Sequence, residues 1–229
     1  MQKTTDTISA ATAKKRTLAL SLAFVAFWLP AILFSKIAGE VLEKEPISLD
    51  TSILTWIHSH ATPLLDNIFL AITTVGNVAI ITPITLIIVA YLFYKKYRLN
   101  ALIILFSFGG AGVADFILKK LFQRDRPTFW HSLVTETGYS FPSGHAMLSS
   151  ALILSIILIL WNTRWRWTAA IIGMLIIFSI GLSRLYLGVH YPTDVIAGWS
   201  VSLLWVIVVF TVGYGLSRKF NQHRIFKSE

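Results

Sequence analysis

Six long apolar runs separated by short polar stretches dominate the chain. They fall near residues 17–38, 68–94, 99–119, 143–161, 166–186 and 193–216. With tilt and flanking residues, each suffices or nearly suffices to cross about 30 Å of hydrocarbon. Lipid offers no partner for unpaired backbone groups, so helices are the expected form. The second run is overlong, and Gly76 and Pro83 are candidates to break it. The fourth has the length of a buried soluble helix, but its five neighbours place it in the same bundle. The pattern predicts an all-α, six-transmembrane-helix bundle forming a single domain over residues 1–229, with no internal repeat or linker.

Composition agrees with this reading. Of 229 residues, 55% are hydrophobic and 14% charged, where soluble domains carry about a quarter charged residues. Mean hydropathy is +0.68. Cysteine is absent, which excludes disulfides, thiolate catalysis and Cys-ligated metal. A net charge of +9 raises the question of nucleic acid. The basic residues, however, lie in short clusters between apolar runs, with no basic stripe interleaved with aromatics, so no nucleic-acid partner is expected.

Charge placement orients the predicted bundle. Lys3, Lys14, Lys15 and Arg16, then Lys95, Lys96 and Arg98, then Arg164 and Arg166, then Arg218, Lys219, Arg224 and Lys227 all fall on one side. They make up thirteen of the twenty basic residues. Positive charge accumulates on the cytoplasmic side, so both termini are expected there. A cleaved amino-terminal signal peptide is the alternative. Its apolar core would be unusually long, and cleavage would leave five spans with ends on opposite sides.

Residues 39–67 form the longest polar connection and carry acids rather than an excess of bases. Ile53, Leu54, Trp56 and Ile57 predict a short amphipathic helix at the outer interface, packed on the bundle mouth. His58 and His60 are two apart and cannot share a helix face, so they are not expected to bind metal. Trp28, Trp130, Trp161, Trp165 and Trp167 lie near span ends, as an aromatic belt would.

Three polar segments remain: KKLFQRDRP from Lys119 to Pro127, PSGH from Pro142 to His145, and SRLYLGVHYPTD from Ser183 to Asp194. They close the third run, open the fourth, and bridge the fifth and sixth. The charge-derived topology therefore puts all three on the outer membrane face. Together they supply what phosphate hydrolysis requires without a metal: charge on the equatorial oxygens, an in-line nucleophile, and a proton for the leaving oxygen. Lys119, Arg126 and Arg184 form a candidate phosphate clamp, Arg as a planar fork and Lys as a compact charge. Lys119 and Arg126 are seven apart and would share a face if their helix continued to Pro127. Lys120, Arg124 and Asp125 nearby are read as decoys.

Ser143 and Gly144 stand where the fourth run begins, so a helix N-terminus could present free N–H groups to an anion there; Ser143 could equally be an N-cap. His190 is the better nucleophile candidate, because Asp194 four residues on can fix its tautomer. Asp194 also follows Pro192, a plausible first helical residue. His145 is then the general acid. Asp115 is a carboxylate inside an apolar run, four before Lys119, and is expected to position that lysine.

Taken together, these segments resemble the tripartite signature of the type 2 phosphatidic acid phosphatase superfamily, which also includes vanadium haloperoxidases. A Lys stands seven before an Arg-Pro, Pro-Ser-Gly-His follows, and then comes Ser183-Arg184 with His190 six after the Arg and Asp194 four beyond. No position departs from the pattern. The resemblance separates the two histidines: it implies a phosphohistidine at His190, hydrolysed by water that His145 activates. It also implies phosphate binding by Lys119, Arg126, Ser143, Gly144 and Arg184, a supporting place for Ser183, and no metal or other cofactor. The short single domain looks like bacterial members acting in the plasma membrane on phosphatidylglycerophosphate, phosphatidic acid or undecaprenyl pyrophosphate. The expected partners are thus the bilayer and a membrane lipid phosphate. The competing readings are a lipid phosphotransferase, a haloperoxidase, and a transporter or non-catalytic lipid binder. Mere binding would not need an acid–base pair.

Overall fold

The computed structural model describes residue 21, residues 24–44 and residues 47–225. Among these residues the fold is entirely helical. The helices are α1 (Phe24–Leu42), α2 (Ser48–Ser59), α3 (Pro63–Val75), α4 (Val78–Tyr94), α5 (Arg98–Phe122), α6 (Gly144–Leu160), α7 (Arg166–Tyr186) and α8 (Pro192–Ile225). The basic residues Lys3, Lys14, Lys15, Arg16 and Lys227 and the start of the first predicted span lie outside the described residues.

Four helices are long and apolar enough to cross a membrane: α1, α5, α7 and the Pro192–Leu216 part of α8. The α3–α4 pair makes a fifth if counted as one span. The expected single second span is therefore a broken one, bent by 44° between Val75 and Val78. Gly76 ends α3, and the Asn77 side chain accepts from the Ala79 amide at 2.9 Å to start α4. Pro83, the other candidate breaker, stays inside α4. The pair also starts earlier than residue 68, because Pro63 occupies the first turn of α3 and Thr62 caps it.

With 17 residues, α6 falls short of the length of its neighbours. It is enclosed by α5, α7 and α8, and every residue from Gly144 to Leu152 is buried. The apolar residues of its first half are thus buried in protein, and length alone does not make it a sixth span.

The surface is inverted relative to a soluble protein. Ile87, Phe116 and Leu175 are more than 60% exposed, while Asp50, Arg184, His190 and Asp194 are buried. Such an apolar exterior suits lipid, and the protein is an integral membrane protein. Trp161, Trp165 and Trp167 sit exposed around the α6–α7 turn, with Arg164 and Arg166 over the rings of Trp165 and Trp167.

Close helix packing relies on small residues. A β-carbon on Gly110 of α5 would lie 2.3 Å from Nε1 of Trp205 on α8, which itself donates to the Phe106 carbonyl at 2.9 Å. Gly110→Ala must displace that ring, and overpacking of this kind costs about 1–3 kcal/mol. A lowered thermal unfolding midpoint in detergent, with the wild-type oligomeric profile retained, is the expected result.

Candidate active site

The C-termini of α5 and α7 and the N-termini of α6 and α8 meet at one end of the bundle. The three polar segments converge there, and α2 packs over the same end against α7 and α8.

The first segment divides between helix and loop. Lys119 and Asp115 form the expected i, i+4 ion pair, at 2.9 Å. The helix does not continue to Pro127. It stops at Phe122, and Gln123 adopts a left-handed conformation with φ of 48°. Arg126 therefore reaches the site from the loop. Its Nε donates to the Gly138 carbonyl at 3.0 Å, and Nη1 donates to the Val189 carbonyl at 2.9 Å.

The second segment lies against the first. A β-carbon on Gly144 would come within 3.0 Å of the Lys119 ammonium and 3.1 Å of the Asp115 carboxylate. Only a glycine lets the pair sit on the first turn of α6, whose amides have no intrahelical acceptor. The Ser143 amide donates to the Asp194 carbonyl at 3.1 Å, which ties α6 to α8. The Ser143 hydroxyl does not cap the helix. It is buried without a partner among the described residues, as are Nε of Arg184 and one oxygen of Asp115.

The third segment carries the histidine. Nδ1 of His190 faces Asp194 Oδ2 at 3.3 Å, and Nε2 faces Arg126 Nη1 at 3.3 Å. A guanidinium can only donate, so Nε2 must present its lone pair and the ring proton resides on Nδ1, toward Asp194. Burial holds the imidazole well below its ordinary value, and Arg184, Arg126 and Lys119 add to the effect. His190 is thus a neutral ring with its lone pair turned toward the cations. His145, on the first turn of α6, is buried and has the charged groups of Arg184, Glu136 and Lys119 and the His190 ring as neighbours. Arg184 is 1% exposed and donates to Thr73 of α3 and to Glu136. Among the described residues the Ser183 hydroxyl has no hydrogen bond to these groups; it donates to the Ile180 carbonyl of its own helix at 2.7 Å.

Several residues here have no sequence motif. Arg124, read as a decoy, is a partly buried bridge: Nη1 donates to Asp194 Oδ1 at 2.6 Å and Nη2 to Asp50 Oδ2 at 2.7 Å. Asp50, 1% exposed on α2, also accepts from the Thr193 amide at 3.0 Å. Glu136 is paired with Arg184 and lies 3.8 Å from Arg126. Burial pushes its carboxyl up, but Arg184, His145 and Arg126 outweigh this and hold it below its ordinary value. Trp130 is only partly exposed. It stacks on His58 with ring centroids 4.0 Å apart and covers Gly188, where a β-carbon would be 2.6 Å from Nε1. Each of these contacts joins positions distant in sequence, so no local pattern could have indicated them. The one available signal was Asp50 itself, a lone carboxylate among apolar positions of a short helix.

Beside Arg126 and Glu136 opens a cavity of about 560 Å³, walled by Phe129, Trp130, Val134 and Val189. It joins apolar walls to charged groups, as a site for an amphiphile would.

The chain that carries these segments is similar to known proteins. The model of the PAP2 superfamily matches residues 100–218, which contain all three segments. A phosphatidylglycerophosphatase B of Bacillus subtilis is 34% identical over 167 residues, covering 71% of this chain and 80% of its own. An undecaprenyl-diphosphatase of Sulfolobus acidocaldarius is 28% identical, over 76% of this chain and 81% of its own. The crystal structure of a transmembrane PAP2 type phosphatidylglycerolphosphate phosphatase from Bacillus subtilis superposes with a TM-score of 0.71 at 31% identity. It covers 83% of this chain and 96% of that one. With all three polar segments inside the matched region, the chain belongs to the PAP2 superfamily.

Proposed function

We propose that this protein is a membrane lipid phosphatase that hydrolyses a phosphomonoester or pyrophosphate without a metal, through a phosphohistidine. The observation that carries the reading is the convergence of Lys119, Arg126, Arg184, His145 and the His190–Asp194 pair on the N-terminus of α6. Phosphatidylglycerophosphate and undecaprenyl pyrophosphate are the substrate candidates suggested by the named relatives, with phosphatidic acid as the simplest lipid of the same chemistry.

The residues divide the work as follows. Arg126, Arg184 and Lys119 neutralise the equatorial oxygens, aided by the Ser143 hydroxyl and the first amides of α6. Asp115 holds Lys119 in place. Nε2 of His190 attacks phosphorus, forming an N–P bond as the bond to the lipid oxygen breaks. His145 donates its proton to that oxygen, releasing the lipid alcohol (or lipid monophosphate from a pyrophosphate). Water then attacks the phosphohistidine, passes a proton to His145, and inorganic phosphate leaves. Asp194 keeps the His190 proton on Nδ1 throughout.

A six-span arrangement with both termini cytoplasmic and this site on the outer face accords with the charge distribution. Here α6 crosses as a protein-enclosed helix and the bent α3–α4 pair counts as one span. The whole chain then works as one domain, with the lipid tail remaining in the bilayer while the head group enters beside Arg126.

Phosphate release by detergent-purified protein in EDTA, offered the three lipids in parallel, tests the reading. Release in chelator that is lost in His190→Ala supports it, and the ranking of rates identifies the substrate. Loss in EDTA with recovery on adding a divalent ion overturns the metal-free mechanism. Transfer of phosphate to a lipid hydroxyl in place of release identifies a phosphotransferase.

Glu136 occupies Arg184 with a carboxylate where a phosphate oxygen is to bind. Glu136→Gln removes this internal competitor. Inhibition by orthovanadate should tighten by roughly 5–10-fold, the scale of about 1–1.4 kcal/mol, as measured by IC50 in the purified protein.

A further inference from the structure

The amphipathic helix α2 lies at the bundle mouth, yet it sends one carboxylate into the interior. Asp50 Oδ1 accepts from the Thr193 amide at 3.0 Å, and Oδ2 accepts from the Thr193 hydroxyl at 2.6 Å and from Arg124 at 2.7 Å. Thr193 is the second residue of α8, after Pro192, so Asp50 caps from outside the helix that carries Asp194. The Arg124 guanidinium then spans both acids. It reaches Asp194 Oδ1 at 2.6 Å and Thr193 Oγ1 at 2.8 Å, and lies 4.0 Å from the centre of the Tyr191 ring. On the far side of Asp194, Oδ2 accepts from the Tyr191 amide at 2.9 Å and faces His190. Besides His190, the Asp194 carboxylate is thus held by the Arg124 guanidinium on one oxygen and the Tyr191 amide on the other.

We propose that Asp50 and Arg124 are positioning residues of the reaction: they fix Asp194 from behind and set the field that Asp194 exerts on His190. The inference rests on the reading of His190 as nucleophile. A cation shared between two carboxylates withdraws less from each than a cation paired with one. Removing the Asp50 charge leaves Arg124 to Asp194 alone, so His190 loses basicity. Removing the Arg124 charge leaves Asp194 unopposed, so His190 gains basicity. The two substitutions thus move one titration in opposite directions, which a purely packing role does not do. The titratable and charged groups facing His190 from the other elements are Lys119 on α5, Arg126 and Glu136 in the loop, His145 on α6 and Arg184 on α7. All remain in place in both variants.

The experiment is the pH dependence of kcat/KM for phosphatidic acid in detergent micelles, for wild type, Asp50→Asn, Arg124→Gln and Arg124→Lys, with folding checked by gel filtration. The substrate's own titration is common to all four. The acidic limb should move down in Asp50→Asn and up in Arg124→Gln, each by roughly one pH unit. For both, kcat should fall about 10–100-fold while KM stays within about twofold, because neither residue touches the substrate. Arg124→Lys keeps the cation without the fork, so the limb should return toward wild type while kcat stays low. If one variant does not yield folded protein, the other still decides. Limbs that stay put, or that move in the same direction, overturn the proposal. A His190→Ala control run alongside separates the two readings. Release persisting in that control removes the nucleophile assignment itself, whereas release lost there with unmoved limbs removes only the positioning role.

Discussion

His190→Ala should reduce phosphate release to background, a loss on the order of 10⁴-fold or more, as when an enzyme loses its nucleophile. Its lone pair is turned toward the cations, and burial among them keeps the ring neutral. No other described side chain combines a nucleophilic nitrogen with an orienting carboxylate at this position. His145→Ala should behave differently, and the contrast identifies the two roles. In the proposed mechanism His145 supplies a proton to the leaving oxygen and later takes one from water, a contribution of about 10²–10⁴-fold. With an ester whose leaving group needs no proton, such as p-nitrophenyl phosphate, His145→Ala should still phosphorylate His190. The phosphoenzyme should then accumulate and be trapped by alkaline quench. Phosphoenzyme trapped from His190→Ala, or equal losses for both variants with both leaving groups, would assign the nucleophile elsewhere.

The second large effect is expected at Asp194, and here the hydrogen-bond inventory leaves the substituted amide no good orientation. Asp194 is fully buried and accepts from Arg124 through one oxygen and from Tyr191 N–H and His190 through the other. In Asp194→Asn, an amide oxygen turned to Arg124 places the NH₂ against two donors. His190 must then move its proton to Nε2, where no lone pair remains for attack. The opposite orientation sets the NH₂ against the guanidinium. A loss of about 10³–10⁴-fold in kcat is expected, the scale of a wrong-tautomer histidine in a hydrolytic triad. Breaking a buried pair also costs about 3–5 kcal/mol, lessened here because Arg124 keeps Asp50. The detergent unfolding midpoint should therefore fall together with activity. Wild-type kcat in a stable Asp194→Asn protein would remove the orienting role.

Much of the helical layout was legible because lipid imposes a simple rule: a spanning segment must be long, apolar and internally hydrogen-bonded. That rule reached α5, α7 and α8 directly. It was less informative for α6, whose first nine residues are buried in protein. It merged α3 and α4 into one run, since a two-residue break at Gly76 and Asn77 leaves hydropathy almost unchanged. The Lys119–Asp115 pair was legible because both partners lie on one helix, one turn apart. The reach of Arg126 was misjudged, because the α5 end at Phe122 is a local backbone event that spacing does not report.

By itself the sequence determined an apolar helical chain and the three polar segments from which the proposed phosphate site is drawn, because hydropathy and motif spacing are local properties. Only the tertiary structure decided which cations are engaged and by what. Asp50 meets Arg124 across 74 positions, Glu136 meets Arg184 across 48, and Thr73 meets Arg184 across 111. Charges inside such a bundle must find partners wherever packing brings them. Those partners are chosen by three-dimensional proximity, which no linear pattern encodes.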